Sequence, residues 1–423
     1  MDKAITGIQY KKSITNTRNL SHTLLLTLVL FFYVYNITIP GLPDSFLSRR
    51  VAAFLVFVVA LFSSKGRLLL KKTKADSHFL LYIGFQFFAL FIGLITVAFI
   101  GKGSGRSIIS NYLETIFFGS MAYLGFKRLF YSIDDFMQIC LFTTLLQCMI
   151  IIAVLLYPAL LNTIISIDRN SPWDLRHMAA YGYAVGLGCV TSTGTMKLSI
   201  GLLASFYFIS IGKNKKINTL FYIVISVVMS AVARTGIVLS GLGFFAIIIL
   251  LWSRGMYKTL RTLFYVIIGV VAFYIIFMKT PIGPFISNAL RRIIYSTTNR
   301  TWKEWFSGWY KGETTIVPPL SMFGELITSG TSSLGHQINV DGGFRKVLFA
   351  MGVPLGLFYY GLVTFISLRE ANKQICIEYS LLIWLFFGFI VCGEFKEFFI
   401  FDVYFLVLLM VNRHLLELKK MKS

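Results

Sequence analysis

Runs of about sixteen or more nearly uncharged residues recur along almost the whole chain, separated by short basic connections. A helix of about 20 apolar residues crosses the hydrocarbon core of a bilayer, and only helices and closed barrels satisfy their backbone groups there. The pattern predicts spans at about 20–39, 48–64, 79–100, 108–126, 135–157, 192–212, 217–233, 235–252, 262–279, 347–368, 376–392 and 397–413. The expected fold class is therefore an all-α polytopic membrane protein of about 12 transmembrane helices, one integral membrane domain over residues 1–423. The apolar rhythm breaks at a smaller polar segment, 158–191, and at a large loop, 279–346. The glycine-rich stretch 177–195 reads either as a separate half-span or as a surface helix.

Composition agrees with the pattern. A mean hydropathy of +0.74, with 56% apolar and 14% charged residues, excludes an ordinary soluble domain. The first apolar run starts near Leu20 and is followed by Pro40 without a small-residue cleavage pattern, so no cleavable signal peptide is expected. The net charge of +22 changes meaning once mapped. With the N-terminus in the cytoplasm and alternating spans, more than half of the 40 Lys and Arg fall in short cytoplasmic segments, as the positive-inside rule requires. Both termini are then cytoplasmic, both polar segments face outward, and the charge reports topology rather than nucleic acid. The five Cys lie in or beside apolar runs with no CxxC spacing, which indicates neither a disulfide framework nor a thiolate metal site.

Ionised groups inside a membrane need a reason. Glu114, Arg234, Glu394, Lys396, Glu397 and Asp402 all fall in the outer parts of spans or at their outer mouths. Snorkelling explains each of them singly; together they point to a water-filled cavity opening outward. Arg234 lies in Ala233-Arg234-Thr235-Gly236, where two short spans meet, so it is placed for an anionic head group. The stretch Asp168–His177 adds Arg169, Arg176 and His177 on the same side and reads by default as a solvated loop.

In the long loop, Phe285–Tyr295 reads as a helix carrying Arg291 and Arg292. Trp302, Trp305, Phe306 and Trp309 share a helical face, suited to the outer leaflet or to stacking on sugar rings. Phe323-Gly324-Glu325-Leu326 and a Gly/Ser/Thr-rich turn lead to Gly335–Arg345. There Asp341-Gly342-Gly343 forms a tight turn above the next span, where Asp341 either caps a helix or presents a carboxylate. His336, near an Asp and an Arg, is a candidate for proton transfer.

These features together resemble the bacterial O-antigen polymerases, Wzy-type enzymes related to the O-antigen ligases. The likeness rests on the small-Arg-Thr-Gly junction at 233–236 and on the late loop closing with Gly-x-x-x-x-x-Asp-x-Gly-aromatic, Gly335 to Phe344. It rests also on Gly352, Gly356 and Gly361 and on Glu394-Phe395-Lys396-Glu397-Phe398 before the last span. The architecture is matched over the whole chain, the residues only in these pieces.

The resemblance implies a GT-C-like fold in the bacterial inner membrane, with the active site facing the periplasm. It implies a donor glycan on undecaprenyl diphosphate and an acceptor repeat unit on a second such lipid. Surrounding membrane lipids and a chain-length regulator protein are the other candidate partners. Cationic groups would stabilise the leaving diphosphate: Arg234 by position, with Arg176, Arg291, Arg300, Arg345 and Lys396 as helpers and Glu394 at the substrate site. The base is His336 or Asp341. No DxD motif or dense carboxylate cluster is present, so this reading calls for neither metal nor cofactor. The nearest rival is an O-antigen ligase with a lipid A core acceptor. A rival of another class is a flippase for lipid-linked oligosaccharide.

Overall fold

A computed structural model describes residues 20–39, 47–62, 76–100, 108–130, 132–168, 175–176, 183–189, 191–255, 320–327, 330–332, 334–338, 343–371, 377–394 and 407–413. Isolated positions at 179, 268, 275, 279, 283–284 and 287 complete the described set. The helices are α1 (Leu20–Tyr35), α2 (Ser48–Phe62), α3 (Ser77–Ile100), α4 (Ile108–Glu114), α5 (Ser120–Leu129), α6 (Ile133–Leu156) and α7 (Leu160–Ile167). They continue as α8 (Thr191–Ile211), α9 (Lys215–Val232), α10 (Arg234–Ser253), α11 (Gly343–Met351), α12 (Val353–Ala371) and α13 (Ile377–Glu394). A π-helical turn, Thr115–Gly119, joins α4 to α5. Two short strands, β1 (Gly330–Thr331) and β2 (Gln337–Ile338), pair antiparallel between α10 and α11.

The described protein is an all-α membrane protein with one small hairpin. Among the described residues, six helices are long and apolar enough to cross a bilayer: α3, α6, α8, α9, α10 and α13. Of the twelve expected spans, 262–279 falls almost wholly outside the described residues, and the last is described only at 407–413.

Side-chain pairings fix how the helices alternate. At one end of the bundle, Asp76 before α3 accepts from Lys127 Nζ of α5 (2.6 Å), Arg413 Nε (3.3 Å) and the Tyr123 hydroxyl (3.2 Å). Asp134 at the start of α6 likewise accepts from the Tyr207 hydroxyl at 2.5 Å and from Lys213 Nζ. Ser132 caps α6 by accepting from Asp135 N–H, and the two acidic residues of the first turn suit the positive pole of the helix. Arg254, after α10, donates to Glu378 at the start of α13 (2.7 Å) and to Ser210 O of α8. The opposite end therefore gathers the C-termini of α1, α3, α6, α9 and α13 and the N-termini of α2, α4, α8, α10 and α12. Both Arg234 and His336 belong to that end.

The helix at the centre is α8, which packs on α6, α9, α10 and α13 and is almost wholly buried. Its sequence is among the more polar of the spans, and small residues explain its place. A Cβ on Gly201 would lie 2.4 Å from Thr144 Cβ, and one on Gly194 would meet the Cys189 backbone at 2.8 Å. Without a hydrophobic drive between helices in lipid, such close approach supplies the packing.

The expected span 347–368 is two helices. At Gly352 the backbone turns to φ +84°, and a Cβ there would sit 2.2 Å from Met322 O. Residues 320–327 occupy the notch, so the chain breaks between α11 and α12.

Candidate functional site

The segment Leu320–Ile327 is tied down by the helix ends it closes. The last carbonyls of a helix have no partner inside it. Here Glu325 N–H donates to Phe349 O (2.9 Å) and Leu326 N–H to Ala350 O (3.0 Å), at the C-terminus of α11. Leu326 O in turn accepts from Ile108 N–H (2.8 Å), the first residue of α4. Val353 N–H donates to Ser321 O (3.0 Å), and Gly324 N–H to Ser321 Oγ (3.0 Å). Gly324, at φ +72°, faces Gly352 so closely that a Cβ would lie 2.4 Å from Gly352 N. Both glycines are required by that contact.

This anchoring buries the Glu325 side chain to 2% exposure and aims it at the hairpin. In the turn, Ser332 N–H donates to His336 O (2.8 Å) and His336 N–H to Ser332 Oγ (3.2 Å). His336 Nδ1 lies 2.6 Å from Glu325 Oε1, and the imidazole is 43% exposed. An ionised carboxylate only accepts, so in the neutral ring Nδ1 carries the proton and Nε2 keeps its lone pair. An anchored acid holding a half-exposed imidazole is the arrangement that general-base catalysis uses.

On α13, Glu394 is buried and accepts from the Tyr360 hydroxyl of α12 at 3.0 Å. The Tyr360 ring packs against Phe344 on α11 with centroids 4.9 Å apart. Arg345, also on α11, is buried, whereas Arg176 is exposed. Glu114 pairs with Arg50 of α2 at 3.2 Å.

The 233–236 junction is a helical hairpin. Ala233, extended at φ −160° and ψ 160°, ends α9, and Arg234 opens α10. A Cβ on Gly236 would lie 2.2 Å from Met229 O, so the glycine lets the two helices turn back against each other. Thr235 Oγ1 lies 3.0 Å from Ser192 Oγ of α8. The Arg234 backbone is described; its side chain lies outside the described residues, as do Asp341, Arg291, Arg300, Lys396, Glu397, Asp402 and the face of Trp302, Trp305, Phe306 and Trp309.

The smaller polar segment opens with α7, and Asp168 is buried at the end of that helix. Of the stretch 168–177 expected as a solvated loop, Leu175 is also buried and Arg176 is exposed, while 169–174 and 177 lie outside the described residues. Of the stretch 177–195 expected as a half-span or a surface helix, residues 183–189 form a turn among α6, α8 and α9 and 191–195 begin α8, while 177–178, 180–182 and 190 lie outside the described residues. Apolar Ala184, Val185, Leu187 and Cys189 make this placement favourable; of the backbone groups they carry in, Ala184 N–H donates to Ala231 O of α9, Leu187 O accepts from Gln147 Nε2 of α6, and Cys189 exchanges bonds with Gly186.

Glu325, and Lys197 of α8, whose Nζ donates to Gly188 O in the buried turn, were not singled out by sequence reasoning. Glu325 had one signal, as an acid beside a glycine in the short apolar run Met322–Ile327, eleven residues before His336. Lys197 had another, as the only charge inside α8. Neither the known protein-family models nor the curated proteins match this chain.

Proposed function

We propose that this chain is an O-antigen polymerase, a membrane glycosyltransferase that joins undecaprenyl-diphosphate-linked repeat units. The observation that carries the proposal is the Glu325–His336 pair, a carboxylate-oriented base at the bundle end that also bears the Arg234 junction. In the proposed reaction a hydroxyl of the acceptor sugar attacks the anomeric carbon of the donor glycan. The hydroxyl proton passes to His336 Nε2 as the new C–O bond forms. The bond from the anomeric carbon to the diphosphate oxygen breaks, and undecaprenyl diphosphate leaves with the electron pair. Its developing charge falls to Arg234, helped by Arg176, Arg291, Arg300, Arg345 and Lys396, because cations aimed at a leaving diphosphate lower the barrier most where water is excluded.

Within this proposal the fold is GT-C-like with about 12 spans in the bacterial inner membrane. Both termini are cytoplasmic, and the site and loop 279–346 face the periplasm. Asp341 is the second candidate base, and the Glu394–Tyr360 pair borders the acceptor sugar. A chain-length regulator protein is the proposed protein partner.

The test is reconstitution of the purified chain with a synthetic undecaprenyl-diphosphate repeat unit, comparing wild type with Arg234→Ala and His336→Ala. Wild type is expected to build a glycan ladder and both variants to lose it. Normal ladders from both variants would overturn the site assignment, and no ladder from wild type with its cognate repeat unit would overturn the function. Transfer to a lipid A core acceptor in place of chain growth would make the protein a ligase.

A further inference from the structure

The buried turn at 183–189 is gripped through one residue. Asp168 Oδ2 accepts from Gly188 N–H at 2.6 Å, while Lys197 Nζ donates to Gly188 O at 2.8 Å. Two opposite charges from flanking helices thus hold both backbone polar groups of a single glycine. Asp168 and Lys197 are each less than a tenth exposed. Gly188 itself has φ +56°, and a Cβ on it would fall 1.8 Å from Tyr35 O. Gln147 Nε2 adds a bond to Leu187 O at 3.0 Å, and Gly186 and Cys189 close the turn by exchanging backbone hydrogen bonds. Burying an ammonium and a carboxylate within a membrane bundle is costly, and such groups are kept where something depends on them.

What depends on them lies at the other edge of the turn. Because α9 stops at Ala233, the carbonyl of Ala231 has no residue four positions on to accept from in the same helix. Ala184 N–H supplies the bond, at 3.0 Å. Just beyond, the Ser192–Thr235 contact ties the start of α8 to the residue following Arg234. The turn therefore lies between the charge clamp on Gly188 and the helix break that carries Arg234.

We infer that Asp168 and Lys197 are positioning residues that hold the Arg234 junction in place through the Gly188 turn. The inference rests on the proposed role of Arg234 in receiving the leaving diphosphate. It is a mechanical link: the clamp fixes Gly188, the turn caps Ala231, and the capped break sets where α10 begins.

Two measurements on the full chain in lipid nanodiscs test it. Backbone amide hydrogen exchange reads the link without any assumption about the reaction. Lys197→Met is expected to speed exchange at least tenfold in both 183–189 and 231–236. Faster exchange in 183–189 alone, or in neither segment, overturns the inference. Turnover of the synthetic lipid-linked repeat unit reads the consequence. Lys197→Met should lower kcat at least tenfold, and Lys197→Met/Arg234→Ala should be no slower than Arg234→Ala alone. Losses that multiply in the double variant assign Lys197 a separate or merely structural role and overturn it. Should Lys197→Met fail to fold, Asp168→Asn replaces it. It keeps an oxygen to accept from Gly188 N–H but loses the charge, and is expected to retain more activity than Asp168→Ala; equal activity of the two counts against the clamp. An Arg234→Ala variant with wild-type turnover would remove the reading of Arg234 and leave the exchange result standing.

Discussion

Replacing Glu325 by Gln isolates what the carboxylate does for His336. The side chain keeps its size and its place against α11, because the backbone bonds to Phe349 O and Ala350 O remain. The charged hydrogen bond at 2.6 Å is lost, and an amide that both donates and accepts no longer forces the proton onto Nδ1. A hydrogen bond to a charged group contributes about 1.5–3 kcal/mol. If that is expressed in the transition state, kcat falls between about tenfold and about 150-fold. Stability should change little, since a carboxylate that is 2% exposed also sheds its desolvation cost when it becomes an amide. The assay pairs steady-state glycan extension with a thermal melt in the same nanodiscs. In addition, ¹⁵N shifts of the His336 ring nitrogens report which nitrogen carries the proton. Wild-type kcat in Glu325→Gln, or an Nδ1 proton still fully in place, would refute the role given to the pair.

Three further outcomes follow from the packing. Gly236→Ala puts a methyl 2.2 Å from the backbone oxygen of Met229, so α9 and α10 must separate; a loss of at least ~1–3 kcal/mol in a chemical or thermal melt is expected from overpacking. Gly241→Ala in the same α10 meets nothing within 4 Å and should instead stabilise by ~0.5 kcal/mol, which the same melt checks. Asp76→Asn removes the charge that Lys127 and Arg413 share at the opposite bundle end. Breaking a buried pair in this way costs ~3–5 kcal/mol, which should appear as low yield of folded protein while lipid-linked substrate still binds to what folds.

The sequence by itself determined the class of the protein and the place of several of its described helices. Hydrophobic run length is a local quantity, and lipid permits only one open-chain response to it. The predicted 217–233, 235–252 and 376–392 spans accordingly lie within two residues of α9, α10 and α13 at each end. His336 and Arg234 stood out as candidates locally, because each is a basic group in an apolar or glycine-rich setting. Tertiary structure alone decided their surroundings. Glu325 became the partner of His336 only because α11, the Gly324–Gly352 contact and the 330–338 hairpin converge there. Lys197 and Asp168 met at Gly188 only because α7 and α8 flank the buried turn. The break at Gly352 came from the Met322 carbonyl, thirty residues away, and the central place of α8 came from small residues fitting four neighbours. Contacts of this kind depend on distance in space rather than along the chain, so no window of sequence carries them.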